Sequence, residues 1–288
     1  MLEHVSPQRT RPGRVVVLGA GGFVGGAIVR RLAGDGIACL PVTRKECDLL
    51  APDAAARLKG LVQATDSVVF VSAVAPARTA AHVTANVRMG EVVCEVLGAT
   101  PPLHLVYISS DAVYVDDANP VTERSCCQPS SLHGVMHLAR EVMLRNSVKA
   151  PLAVLRPTLL YGAGDPHNGY GPNRFRRLAA KGEAITLFGD GEEQRDHVFI
   201  DDVAAVAALA ITHRSRGALN VATGRSTSFR AVAEMVVKLA PRPVPIQGTP
   251  RQSPITHRHF DVTACLKAFP TFHFTALDAG LRRATEET

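Results

Sequence analysis

The chain has 288 residues, of which 46% are hydrophobic and 20% charged. This is the balance of a globular protein with a substantial core, and it excludes a disordered chain. No apolar run approaches the roughly 18–20 residues that span a bilayer, so no membrane partner is expected. Arg9, Arg11 and Arg14 supply half of the formal charge of +6, and the rest is too scattered to indicate a nucleic-acid partner. An anionic small ligand suits it equally well. The opening 14 residues are polar and basic, without the apolar stretch of a signal peptide. The six cysteines (Cys39, Cys47, Cys94, Cys126, Cys127 and Cys265) form no CxxC pair. They read as reduced thiols of a cytoplasmic protein, with neither a disulfide framework nor a zinc motif.

From Arg14 onward, apolar runs alternate with amphipathic stretches. Residues 15–18 predict a short strand and 23–32 a helix. Strands follow at 37–42 and 67–71, then a long helix at 80–97. The run 103–108 predicts another strand, 132–145 another helix, and 152–155 a strand leading into Arg156-Pro157. Apolar strands alternating with helices indicate a parallel sheet covered on both faces. Residues 162–174 are rich in Gly, Pro, Asn and Asp and read as a long loop. A strand-like 197–200, a helix from about Asp201-Asp202 and a strand at 219–221 come next. The tail beyond 224 mixes short helices with Pro-rich connections.

The first strand runs into Gly19-Ala20-Gly21-Gly22-Phe23-Val24-Gly25. Glycines spaced in this way, between a strand and a helix, permit a tight turn and let a pyrophosphate approach the backbone at a helix N-terminus. Gly19, Gly22, Phe23, Val24 and Gly25 are therefore dinucleotide-binding candidates. An acidic residue closing the second strand would take the ribose 2′-hydroxyl of NAD. Here Val42-Thr43-Arg44-Lys45 stands instead. Arg44 suits a 2′-phosphate and favours NADP over NAD, a solvated basic turn being the alternative. Asp48-Leu49 follows where a carboxylate can accept from the adenine amino group.

Further residues carry a resemblance. Ser109-Ser110-Asp111-Ala112-Val113-Tyr114, Leu155-Arg156-Pro157, Asn173-Arg174-Phe175 and the stretch from Leu187 to Val203 with its Gln-Arg-Asp-His resemble the extended short-chain dehydrogenases/reductases. The likeness is to their NAD(P)-dependent nucleotide-sugar epimerase/dehydratase group, over residues 14–285. The resemblance implies an α/β fold, a doubly wound parallel (Rossmann) sheet with a smaller mixed α/β substrate domain. Residues 1–161 would form the dinucleotide-binding domain, rejoined by 197–222, and 162–288 mainly the substrate domain. It implies Ser110 as the catalytic hydroxyl and Asn86 as a residue ordering the site. Ala73 and Val74 would lie in the loop passing the cofactor, and Pro157 beside the nicotinamide. Asn173, Arg195 and Arg258 would hold the diphosphate of a nucleotide sugar. It also implies a homodimer through the helices at 80–97 and 131–146.

The family's Tyr-x-x-x-Lys pair is replaced. The lead-in Pro129-Ser130-Ser131, Gly134 and Glu141 place His133 at the tyrosine and His137 at the lysine. An imidazole of ordinary pKa, about 6.5, can itself act as acid or base. Residues four apart share a helix face. His133 would then exchange the substrate proton, near about pH 6–7, while His137 meets the nicotinamide ribose and so belongs to both catalysis and cofactor binding. The implied function is an epimerase, dehydratase or reductase acting on a nucleotide-activated sugar. The alternative is a cofactor-binding pseudoenzyme with a regulatory or scaffold role. A metal on the stripe His133, His137, Glu141 is disfavoured, because three ligands over two turns cannot converge on one ion.

Overall fold

The computed structural model describes residues 1–116, 119–251 and 254–287. In chain order the elements are β1 (Glu3–His4), β2 (Val15–Leu18), α1 (Phe23–Gly34), β3 (Cys39–Val42), α2 (Ala54–Leu61), β4 (Ser67–Phe70), α3 (Ala80–Ala99) and β5 (His104–Ile108). Then come α4 (Leu132–Ser147), β6 (Leu152–Pro157), β7 (Leu159–Tyr161), α5 (Pro172–Lys181), β8 (Ile185–Phe188), β9 (Gln194–Phe199), α6 (Ile200–Thr212) and β10 (Ser215–Val221). The chain closes with β11 (Ser226–Ser228), α7 (Phe229–Leu239), β12 (Ile246–Thr249), α8 (Thr263–Ala268) and α9 (Leu277–Glu286).

The large sheet runs β1-β10-β6-β5-β4-β2-β3. All neighbours pair in parallel except β1, which lies antiparallel on β10 with Glu3 opposite Arg216. The Val-rich runs of β2, β4 and β5 are buried along their whole length, as strands covered on both faces must be. Alternate residues feed two cores. Val15 and Val17 pack with α1 and α6, and Val16 and Leu18 with Leu58, Val93 and Leu144 from α2, α3 and α4. Burying each such side chain contributes about 1.5–3 kcal/mol. The chain leaves β2 toward β3 and resumes on its other side at β4, so a crevice opens between them at the strands' carboxyl ends.

The remaining strands form a three-stranded sheet, β11-β9-β7, and a pair, β12-β8. The strand through His197 starts earlier than its apolar run, at Gln194, and belongs to the three-stranded sheet; β10 is the element that rejoins the large one. Asp201 and Asp202 lie in the first turn of α6, where carboxylates favour the helix dipole. Tyr161, Phe175, Leu187 and Phe229 extend the α1/α6 core into this part. Among the described residues, no helix is long and apolar enough to cross a membrane.

Candidate functional site

A cavity of about 920 Å³ opens at the carboxyl ends of the parallel strands. Gly19, Gly22, Phe23, Val24 and Gly25 line one end of it, and Ser110, His133, His137 and Pro157 lie deeper. The glycine turn is built by close approach. Gly19 adopts φ +96, and a Cβ on Gly25 would lie 2.1 Å from the Gly19 carbonyl oxygen. Gly22 differs, since its φ of −85 suits any residue and a Cβ would reach only 3.4 Å from Gly19 O. It caps α1 without a side chain, so the first helical amides face the cavity. That is a cradle for an anion.

Arg44, Asp48 and Leu49 line the same end. The turn is set by Glu46, whose carboxylate accepts from the Thr43 amide at 2.8 Å, and by Asp48, which accepts from Leu50 N at 3.0 Å. Arg44 forms no ion pair among the described residues and is exposed. Ala73 lines the cavity, and its neighbour Val74 is held from behind. Buried Asn86 accepts from Val74 N at 3.0 Å and donates to Val74 O at 2.9 Å. Arg140, also buried, donates to Ser72 O at 2.8 Å and to Asn86 O at 2.7 Å. Asn86 thus works as a clamp on the loop and does not itself line the cavity.

Ser110 follows β5. Its Oγ accepts from Ala112 N at 3.1 Å and lies 3.4 Å from Asp111 Oδ1. Burial raises the Asp111 carboxyl, against the pull of Arg258 and Arg195. A buried network anchors this corner. Glu141 accepts from Ser109 Oγ at 2.6 Å and, at both oxygens, from Arg156 at 2.9 and 2.6 Å. Arg156 also donates to Tyr114, and Tyr114 to Asn220 Oδ1. Glu141 further pairs with Arg145, so both its oxygens are engaged away from the histidines.

Ser131 caps α4 by accepting from Gly134 N at 3.1 Å, and the first turn presents the histidine pair. Their rings meet edge to face with centroids 4.7 Å apart. His133 Nδ1 accepts only a long contact, 3.5 Å, from Ala77 N, so that bond does not lock its tautomer. Burial lowers its pKa, helped by the charge of His167. His137 is buried, and Tyr107 Oη lies 2.8 Å from its Nδ1. Burial, then His133 and Arg140, pull its pKa well below 6.5. The ordinary imidazole expected from the sequence is thereby corrected: both rings are neutral at pH 7.

Asn173 lines the cavity, but its amide is used structurally, accepting from Gly162 N at 3.0 Å and donating to Leu160 O at 3.1 Å. Arg195 and Arg258 are not among the cavity-lining residues. Arg195 is paired with Glu193 at 2.6 Å and donates to Thr256 O. Arg258 is buried, donating to Val115 O at 2.9 Å and to the Asp111 and Tyr114 carbonyls. It braces the Ser110 loop. Sequence reasoning missed Tyr107, Arg140, Asp111 and His167, of which Asp111 and His167 line the cavity. Only Arg140 left a signal, a charge one turn beyond His137 on the same helix face.

Residues 15–222 match the NAD dependent epimerase/dehydratase family. A stretch of 153 residues is 33% identical to the dTDP-L-rhamnose 4-epimerase of Burkholderia thailandensis, covering 50% of this chain and 42% of that one. The matched stretch is thus less than half of that relative's length. Among solved structures, the UDP-glucose 4-epimerase of Thermus thermophilus in complex with NAD superposes with a TM-score of 0.82 at 21% identity, over 95% of this chain and 98% of that one. The GDP-L-fucose synthetase of Naegleria fowleri bound to NADP does so with 0.85 at 16%, over 99% and 96%. These two likenesses bear on the fold, while the family match spans most of the chain, from the glycine turn through the histidine pair to β10. The chain belongs to the NAD dependent epimerase/dehydratase family.

Proposed function

We propose that the protein is an NAD(P)-dependent epimerase, dehydratase or reductase of a nucleotide-activated sugar, in which a histidine performs the proton transfer. The observation that carries this reading is one cavity holding the uncapped N-terminus of α1, Ser110 and a titratable pair four residues apart. Bound there, a nicotinamide dinucleotide supplies reversible hydride transfer. The amides of the glycine turn bind its pyrophosphate. Arg44 meets a 2′-phosphate, which favours NADP, and Asp48 and Leu49 border the adenine. Ala73 and Val74 pass the phosphates and Pro157 flanks the nicotinamide.

Ser110 donates to the sugar oxygen that alternates between hydroxyl and carbonyl. Neutral His133 takes and returns that proton. His137 donates to the ribose. Arg195 has about a fifth of its side chain exposed and is assigned to the sugar diphosphate, its charge reaching Asp111 on the cavity wall. Arg258 supports that wall through the Ser110 loop, and Asn173 lines the same cavity. Residues 162–288 serve mainly the sugar and 1–161 the dinucleotide. Exposed Leu132, Val135 and Val142 fall on one side of α4 and suit a homodimer, and six free thiols suit the cytoplasm.

Native mass spectrometry, looking for retained dinucleotide and nucleotide sugar, followed by turnover of a sugar panel, tests this. Dinucleotide binding with turnover of one sugar is expected. No dinucleotide binding overturns the reading. Binding of both ligands without turnover replaces it with the pseudoenzyme.

A further inference from the structure

Tyr107 stands in β5 and is fully buried. A buried phenol needs a hydrogen-bond partner, and here it is His137 Nδ1, at 2.8 Å. The direction of that bond follows from the neighbours. Arg140 is the charged group beside both Tyr107 and His137. Its Nη2 completes no other hydrogen bond among the described residues, and the guanidinium acts on the phenol both through its charge and as a side-chain donor. A cation turns the oxygen lone pairs toward itself and the hydroxyl hydrogen away. No other acceptor for that hydrogen is found among the described residues, so Nδ1 receives it. An accepting Nδ1 carries no proton, and the neutral ring then holds its hydrogen on Nε2. Nε2 has no protein partner among the described residues, yet it is not among the sealed, unpartnered polar atoms, and the side chain lines the cavity.

We infer that Tyr107 is a positioning residue: its hydrogen bond fixes His137 as the tautomer that directs Nε2–H into the dinucleotide cavity. The position where the family has lysine therefore offers one neutral, oriented donor instead of an ammonium. Burial and the nearby Arg140 and His133 oppose any charge on the ring. Glu141, which alone among these neighbours would favour one, is engaged by Arg156 and Arg145. The burial of Tyr107 also raises its own pKa, so it remains a donor. The link from His137 to a ribose rests on the function proposed above; the Tyr107–His137 coupling does not.

The test is nitrogen-15 NMR of the histidine rings in the full chain, with His137 assigned by its loss in His137→Ala. Between about pH 6 and 8, the parent is expected to show Nδ1 unprotonated and Nε2 protonated. Tyr107→Phe, which keeps the ring in the core, is expected to shift the Nδ1 resonance. It should also weaken NADP or NAD binding by about threefold to tenfold, the range of one neutral hydrogen bond. In a His137→Ala background, Tyr107→Phe should add no further loss. A proton on Nδ1 in the parent, a cationic ring at neutral pH, or an unchanged spectrum in Tyr107→Phe overturns the inference. So does a further loss of affinity in the double variant. If Tyr107→Phe does not fold, the parent spectrum decides. If neither dinucleotide binds, the reading of the cavity falls, and the spectrum still decides the coupling.

Discussion

His133 and His137 differ in what holds them. His137 is fixed by a 2.8 Å bond in the core, whereas His133 faces the cavity with only a 3.5 Å contact behind it. That looseness suits a group that must give and take a proton. Because burial and then His167 lower its pKa, His133 is a competent base throughout the neutral range. The rate is expected to be flat there and to fall only as pH drops below about 6.5. His133→Phe should abolish turnover by about a hundredfold or more with dinucleotide still bound. A pH-rate profile of the parent beside the variant checks this, and a variant that keeps its rate refutes the role. Arg44, exposed and without an ion pair among the described residues, is placed to meet a 2′-phosphate. Arg44→Ala should weaken NADP by about tenfold, as for a lost charge-assisted bond, and leave NAD nearly unchanged. Calorimetry with both cofactors would expose equal losses, which contradict the assignment.

The glycine turn joins β2 to α1, and its glycines have separate tasks. Gly25 lets α1 cross over the Gly19 carbonyl, where a Cβ would sit at 2.1 Å. Gly25→Ala must displace the helix, and a loss of about 1–3 kcal/mol is expected from such overpacking. Gly22 has room and an ordinary φ, so Gly22→Leu should fold like the parent while its side chain fills the dinucleotide's approach. Thermal melts with dinucleotide titrations separate the two. A Gly22→Leu protein that still binds dinucleotide at parent affinity would mean that the turn does not hold it. On α4, the second and third turns carry the opposite burden. Glu141, Arg156, Tyr114 and Asn220 interlock there, and that network fixes the helix whose first turn presents the histidines.

Across the whole molecule, buried neutral histidines couple stability to pH. Burial lowers His104 to about 4 and His197 to about 3, against 6.5 for the free side chain. Their folded pKa values lie below the unfolded one, so the stability they contribute is complete above about 6.5. It is lost as pH falls from there toward about 4 and then 3. Buried Asp196 and Asp202 and partly buried Asp111 are shifted upward and offset part of this. The melting temperature should therefore decline steadily between about pH 6.5 and 4. His197 has no partner at either ring nitrogen among the described residues and packs against Phe229 with centroids 5.6 Å apart. His197→Phe should raise the melting temperature more at about pH 5 than at pH 8; an equal gain at both would count against the coupling. The exposed apolar side of α4 belongs to this scale too. Val135→Glu with Val142→Glu should convert a dimer to a monomer in light scattering, and a parent already monomeric would rule the dimer out.

Much of this protein was legible in its residues. The Val-rich runs, the glycine turn and the four-residue spacing of the histidines are local patterns. Strand pleat and helix pitch convert them directly into buried strands, a tight turn and two rings on one face. The two-residue β1 and the short β7, β8, β11 and β12 were not legible, because two to four residues are too few for periodicity to register and none carries a Val-rich run like those of β2 and β4. Nor was the use to which buried polar groups are put. Arg258 reads as a free cation, yet folding spends its donors on the carbonyls of a loop about 145 positions away in sequence. Tyr107 reads as one more apolar position in β5, and only the packing of α4 across the sheet sets its hydroxyl against His137. Periodicity specifies which face a side chain takes. Which partner satisfies its polar atoms depends on contacts between segments far apart in the chain, and those exist only once the sheet has closed.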